Sequence, residues 1–560
     1  MIQPHFIFAL ESHLSTLKME KRKIIHLEEP NTLSNFLTKE ERKVIVSLKI
    51  TGYIGQKDFD DVLDEMCDAC GEFDEYDDFI PDFELTPALR HLDLGEALYV
   101  DGEGMPYFGF HAQLETFILP KGLTTVAYEE TGFSESEMLK RVVLPEGLKT
   151  VYGFNSCPNL SGIILPESVE RIESFAFAGC KAISSLRIPS LVKEIDGSCF
   201  ADCNISSFDV DENNPYYSAI DGVIFSKDFS TLIAFPSAYS NKHYVVPLGT
   251  KVIGFAAFMD SHIESVELPD GLIRIEADAF QGSDIRRLDM PDTIVSVGEL
   301  AFRFCLNLEN IRLSNKLSSL SRQLFSGCPK LRELNVPSSV KTIYYSAIAW
   351  CDGLENLYLH DGLEEIVDEG PMLGVKGNLK TVNFPATIKK VPGGVFNYSS
   401  LIKEFKLDPA NPFFKVIDGI LCSKDGKTLY SVPDYNRTTY QVPEGIEVIA
   451  ERVFAFLPMI QTINLPSTLR AIKARAFQGC KSLRSLVIPA SVVQVDVDAL
   501  WADSLKTIVM ESSLPPEMTG NVKDDDWRYK DTTLLVPPDA VAAYKEAPGW
   551  KCFIIKQMKD

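Results

Sequence analysis

The sequence predicts a repeat solenoid of β-rich α/β character, with a parallel sheet on its concave face. Three observations predict it: a proline-marked period of about 23 residues, an Ala-Phe…Cys pattern inside each period, and two longer segments that interrupt the period alike. Prolines that end an apolar stretch stand at 120, 145, 166, 189, 247, 269, 291, 337, 385, 443, 466 and 489. Ser314 and His360 fill the same slot where proline is missing.

Writing Φ for an apolar residue, the unit is P-x-x-Φ-x-x-Φ-x-x-x-A-F-x-x-C-x-x-Φ-x-x-Φ-x-Φ-P, as in PSTLRAIKARAFQGCKSLRSLVIP. Its tail, Leu483, Leu486 and Ile488 in that copy, alternates near its end as a strand with one buried face does. Proline then stops the strand, because it has no N–H for the ladder. Glu-Gly or Asp-Gly makes the turn that follows. The next apolar pair, Val169 and Ile172 or Leu272 and Ile275, points back inward. Phe177, Phe280, Phe302, Phe325 and Phe477 share one interior slot. A unit this short cannot bury such a face alone. Stacked identical units can, with parallel strands about 4.8 Å apart.

Most cysteines follow from the same register. Cys157, Cys180, Cys328 and Cys480 stand nine residues before the strand-ending proline, and Cys305 and Cys351 stand nine before Ser314 and His360. Cys203 continues the column, and Ser261 and Ser283 substitute in it. A slot that accepts Cys or Ser reads as small and buried, not as a metal or disulfide site. The Cys67-x-x-Cys70 pair stands alone, without a partner pair at zinc spacing.

The two insertions, 209–247 and 407–443, share N-P-aromatic-aromatic, I-D-G-Φ-Φ and S-K-D. Pro189 to Pro247 and Pro385 to Pro443 both span 58 residues, so a larger duplication overlies the small one. Val223–Ser226 with Thr231–Phe235, and Ile420–Ser423 with Thr428–Val432, are predicted β-hairpins. The expected organisation is a disordered tail over 1–23 and an N-terminal cap region over 24–110 with an acidic, solvated insertion at 58–84. Repeats with the two hairpin insertions follow over 111–510, then a C-terminal repeat and cap over 511–560.

Charge narrows the function. The 560 residues carry 55 Lys+Arg against 79 Asp+Glu, a net charge of −24. Asp58–Glu84 alone holds 13 acids and no Lys or Arg. Such a polyanion lacks the basic footprint of a nucleic-acid or anionic-lipid binder. No apolar run reaches the ~18 residues of a membrane span. There is no P-loop, GxGxxG, HExxH or GxSxG, and the eight histidines share no repeat column. We expect no catalytic residues, no metal and no cofactor.

The A-F-x-x-C core, the Φ-x-x-Φ-x-Φ-P strand and the two N-P…S-K-D hairpins resemble the BspA-like leucine-rich repeat family of bacterial surface proteins. The resemblance covers roughly residues 110–555. The lead-in 24–110, with RHLDLGEALYV as its first strand, and the closing LLVPPDAVAAYKEAPGWKCF also resemble family ends. It implies a right-handed leucine-rich-repeat superhelix capped at both ends. It also implies a non-enzymatic protein-binding role at the cell surface or as a secreted protein, with host extracellular or neighbouring-cell proteins as partners. Family members usually carry a secretion leader. Here the basic cluster Lys21-Arg22-Lys23 follows the apolar patch Phe6–Leu10, which is the wrong order for one. An intracellular interaction scaffold in the cytoplasm is therefore the alternative, and glycan binding the third reading.

The candidate binding residues point outward from the parallel strands: Arg287, Asp289, Arg312, Asn335, Tyr358 and Asn383. Stacking places them along the expected concave face. The row is polar, of both signs, with one aromatic. It has neither an aromatic ladder for sugar rings nor a basic stripe, so a protein partner fits it best, bound by a monomer.

Overall fold

The structure, a computed structural model, describes residues 22–558 apart from 68–70, 74–78, 82–87, 103, 105–113, 127–132, 368–378, 398, 400, 434–435, 503 and 522–526. It comprises two compact units, Met1–Glu264 with Ala279–Ser283, and Ser265–Asp278 with Asp284–Asp560. Both are parallel-strand solenoids, as the repeat predicts.

In the first unit, Arg22–Leu27, Ser47–Ile54, His91–Tyr99, Thr116–Ile118 and Arg141–Val143 form one parallel ladder. Farther along, Ser185–Ile188 pairs with Ser207–Val210, Leu186 opposite Phe208. A second ladder runs through Thr150–Val151, Arg171–Ile172 and Glu194–Ile195. The two ladders are the two apolar stretches of each repeat: the strand before proline and the inward pair after it. Arg22 and Lys23 therefore belong to the first strand and not to a tail. Residues 1–21 lie outside the described residues.

The acidic stretch does not begin as a solvated insertion. Gln56–Asp58, Phe59–Leu63 and Asp64–Cys67 are helical and bury Phe59, Val62, Leu63, Met66 and Cys67. Asp58 is itself buried and accepts backbone N–H bonds from Asn31 (2.7 Å), Leu33 (2.8 Å) and Gly55 (3.0 Å). Three N–H donors replace the lost water around its carboxylate. Gly71–Phe73 then pairs antiparallel with Phe79–Pro81. Cys70, Tyr76 and Phe83 lie outside the described residues.

In the second unit the strand ladder includes Ser265–Glu267, Arg287–Asp289 and Asn310–Arg312. Glu333–Val336 pairs with Asn356–Leu359, and Thr381–Phe384 with Glu404–Leu407. The unit closes on Ser485–Ile488, Thr507–Met510, Thr533–Val536 and Ile554–Gln557. The short helix Val541–Glu546 and the buried Trp550 lie at this end. The Trp550 Nε1–H donates to the Pro516 carbonyl at 2.7 Å, which satisfies the indole inside an apolar cluster.

The Phe slot fills the interior as predicted. Phe133, Phe154, Phe177 and Phe200 stack with centroids 5.2, 5.8 and 6.3 Å apart and planes within 7°. Phe302–Phe325 and Phe454–Phe477 repeat the contact at 5.6 and 5.7 Å. The Cys column has a specific partner. The thiols of Cys157, Cys180 and Cys203 lie 2.9–3.0 Å from the Phe133, Phe154 and Phe177 carbonyls one coil earlier. Cys328, Cys351 and Cys480 do the same to Phe302, Phe325 and Phe454. The slot thus takes a small residue, and where that residue is one of these cysteines its thiol contacts the carbonyl.

Each insertion adds one strand more than the predicted hairpin. Tyr217–Ile220, Val223–Ser226 and Thr231–Ala234 form an antiparallel meander, and its third strand rejoins the second ladder beside Val252–Ile253. Phe414–Ile417, Ile420–Ser423 and Thr428–Ser431 repeat this beside Val448–Ile449. One buried asparagine anchors each. Asn214 donates to the Pro189 and Val192 carbonyls and accepts from the Tyr216 and Tyr217 amides, all at 2.8–2.9 Å. Asn411 donates to Ala386 and Ile388 and accepts from Phe413 and Phe414.

Replacing Asn214 or Asn411 by alanine orphans several buried backbone groups at once. We expect a loss of about 3 kcal/mol for each, measured by denaturant unfolding of the full chain. Burial pushes the thiols of Cys203, Cys351 and Cys480 up to about 12. They should therefore resist a disulfide reagent at pH 8 in the native chain and react only on unfolding. Fast native labelling of any of the three would contradict the buried column.

Candidate functional site

Most strands of the second unit bury a central apolar residue, such as Leu288, Leu334, Leu357 or Val382, and so turn its neighbours outward; Ile311 between Asn310 and Arg312 is half-buried. All six sequence-derived candidates are exposed there: Arg287, Asp289, Arg312, Asn335, Tyr358 and Asn383. Ladder register places Asp289 opposite Arg312 and Asn335 opposite Tyr358. Asn383 lies opposite Lys406 instead. The row is therefore assembled pairwise from neighbouring coils.

Its members are not equally available. Arg312 reaches Asp292 at 3.3 Å, and the Asn335 Oδ1 lies 2.7 Å from the His360 Nε2. Among the described residues, Arg287, Asp289, Tyr358 and Asn383 make no side-chain hydrogen bond or ion pair. Another surface row, four residues after the proline slot and half-buried at Lys149, Glu170 and Lys193, behaves differently. There Glu170 bridges Lys149 and Lys193 at 2.8 and 2.9 Å, and hydrogen bonds from Lys149 and Lys193 hold its carboxyl at about 2. Glu364 likewise lies between Lys341 and Lys389. That row neutralises itself, whereas the strand row leaves polar groups over.

Tyr358 and Asn383 meet at one cavity of about 520 Å³ between Asn356–Leu359 and Thr381–Phe384. Glu355, Asn356, Lys380 and Thr381 complete its polar lining. Glu355 is tied to Arg332 at 2.8 Å. Lys380 has no ion-pair partner among the described residues. Tyr358, 44% exposed, offers one aromatic face beside amide, hydroxyl and ammonium groups. This set suits recognition of a polar polypeptide surface. Glu355 and Lys380 were not among the sequence candidates, because they precede the strands and lie outside their alternation. Among the described residues, no three His, Cys, Asp or Glu side chains converge as metal ligands, and no helix is long and apolar enough to cross a membrane.

The family description BspA type leucine rich repeat region matches six copies over residues 105–228, 251–370 and 433–516, more than half of the chain. No curated protein matches the sequence. Among solved structures, a leucine-rich repeat protein from Bacteroides ovatus is 20% identical, covers 70% of this chain and 88% of its own, and has a TM-score of 0.38. A leucine rich cell surface protein from Faecalibacterium prausnitzii is 20% identical, with 69% and 83% covered and a TM-score of 0.34. The pneumococcal vaccine antigen PcpA is 17% identical, with 62% and 88% covered and a TM-score of 0.33. The chain belongs to the BspA type leucine-rich repeat family.

Proposed function

We propose, with family membership as the premise, that this chain is a non-enzymatic protein-binding solenoid of the bacterial cell surface, or a secreted one. It engages host extracellular or neighbouring-cell proteins through the strand face of its second unit. The observation that carries this reading is the meeting of Tyr358 and Asn383, both without side-chain partners among the described residues, at one polar cavity. An aromatic ring flanked by uncommitted amides provides contact area at small entropic cost together with adaptable hydrogen bonding.

Two measurements test it. Protease added to intact cells should remove the chain from the surface. Protection would end the adhesion reading in favour of the intracellular scaffold. Against a panel of purified extracellular host proteins, the double variant Tyr358→Ala/Asn383→Ala should weaken any saturable binding at least tenfold. Both side chains are exposed or lack partners, so its Tm should stay within about 2 °C of the parent. Unchanged affinity would move the interface off this face.

A further inference from the structure

The residue just before the Cys slot has a left-handed backbone in coil after coil. Its φ is +76° at Gly179, +71° at Gly282, +78° at Gly327 and +68° at Gly479. Glycine suits such a position, because a Cβ is strained there. Yet coils of the second unit place aromatics in it: the half-buried Phe456 at φ +59°, and the exposed pair Phe304 at +56° and Trp350 at +55°. For bulky residues this conformation is an outlier that the surrounding fold must enforce. Neither side chain is repaid by full burial, since Phe304 is 40% and Trp350 53% exposed.

Phe304, Gly327 and Trp350 hold the same position in three consecutive coils. They are linked by backbone bonds from the Phe304 amide to the Ser326 carbonyl and from the Gly327 amide to the Ala349 carbonyl. A Cβ on Gly327 would collide with the Phe304 ring, so that ring lies across the glycine and leaves the turn surface continuous. The Arg303 guanidinium stacks 4.4 Å above the Phe304 ring, and Leu306 in the same turn is 57% exposed. In the next coil Arg322 stacks 5.2 Å from Tyr345. Among the described residues neither arginine forms an ion pair, although the charge of Arg303 lowers the pKa of the partly buried Asp278 against the larger, raising effect of burial. Arg303 and Arg322 thus present two cations without ion pairs among the described residues on the turn side, inside a chain of net charge −24.

We propose that Arg303, Phe304, Leu306 and Trp350 form a second interaction surface, on the turn side of the second unit, for a carboxylate-rich peptide segment of a partner protein that also carries apolar side chains. A guanidinium held flat on a ring keeps its N–H edge free for a carboxylate. The exposed ring, indole and leucine need apolar partners, which a sulfated polysaccharide does not have. The strain at Phe304 and Trp350 is explained by the surface they present. This surface is separate from the strand-face cavity, and neither reading depends on the other.

The test titrates the full chain with a labelled peptide of alternating Glu and Phe, an all-Glu peptide and a heparin fragment. The Glu-Phe peptide should bind saturably, the all-Glu peptide at least tenfold more weakly. Arg303→Glu and Trp350→Gly should each weaken the Glu-Phe complex at least tenfold. Trp350→Gly relieves the strained φ, so its Tm should equal or exceed that of the parent while binding is lost. That combination separates a recognition role from a structural one. The proposal is overturned if the Glu-Phe peptide does not bind, if the variants bind it like the parent, if heparin is the tighter ligand through these residues, or if Trp350→Gly lowers the Tm.

Discussion

Within each unit, one contact carries the stack from coil to coil. A buried phenylalanine lies on the phenylalanine before it, and a thiol of the later coil sits against that residue's carbonyl. Phe154 on Phe133 with Cys157 at the Phe133 carbonyl is one instance, and Phe325 on Phe302 with Cys328 at the Phe302 carbonyl another. The rings supply apolar burial, and the thiol adds a second donor to a buried carbonyl that also accepts a backbone N–H, from Ser136 at Phe133 and from Cys305 at Phe302. No coil can do this alone, so stability is a property of neighbouring pairs. The strands can then be only two to four residues long in most coils, because the ladder positions the turns and the core holds them.

Features that repeat many times were legible in the sequence: the proline that ends the strand, the Phe slot, the Cys column and the paired insertions. Each copy is weak evidence, but one register explains all of them. Features that occur once were not legible. Arg22–Leu27 is a ladder strand with only Ile25 and Leu27 buried, too short a pattern to stand out beside Lys and Arg. The acidity around Asp58 reads as solvation until its three backbone donors are seen. The extra strand in each insertion was missed because Asn214 and Asn411 look like ordinary turn residues, although each is the buried anchor of its meander.

The six strand-face candidates could be named because alternation tells inward from outward. Alternation does not tell which outward groups are already used. Arg312 and Asn335 find partners on their own chain, and Arg287, Asp289, Tyr358 and Asn383 do not. Glu355 and Lys380 enter the cavity from just outside the strands, where the repeat pattern stops being informative.

The turn side was harder to read, because its constraint is a backbone angle and not a polarity pattern. Its only trace in the sequence is the glycine before Cys180, Cys328 and Cys480. Once that slot is known to need positive φ, Phe304 and Trp350 change meaning. A bulky aromatic there is neither core, since it is half-exposed, nor filler, since glycine would serve the fold better. A solenoid presents one residue per coil in each surface row, and a row can satisfy itself, as the Lys149–Glu170–Lys193 run does, or leave chemistry over. Two rows of the second unit leave chemistry over. One is polar, on the strands, and the other is aromatic and cationic, on the turns. Because the core contact fixes the coil spacing for both, either row can change its surface residues without disturbing the other or the stack beneath them.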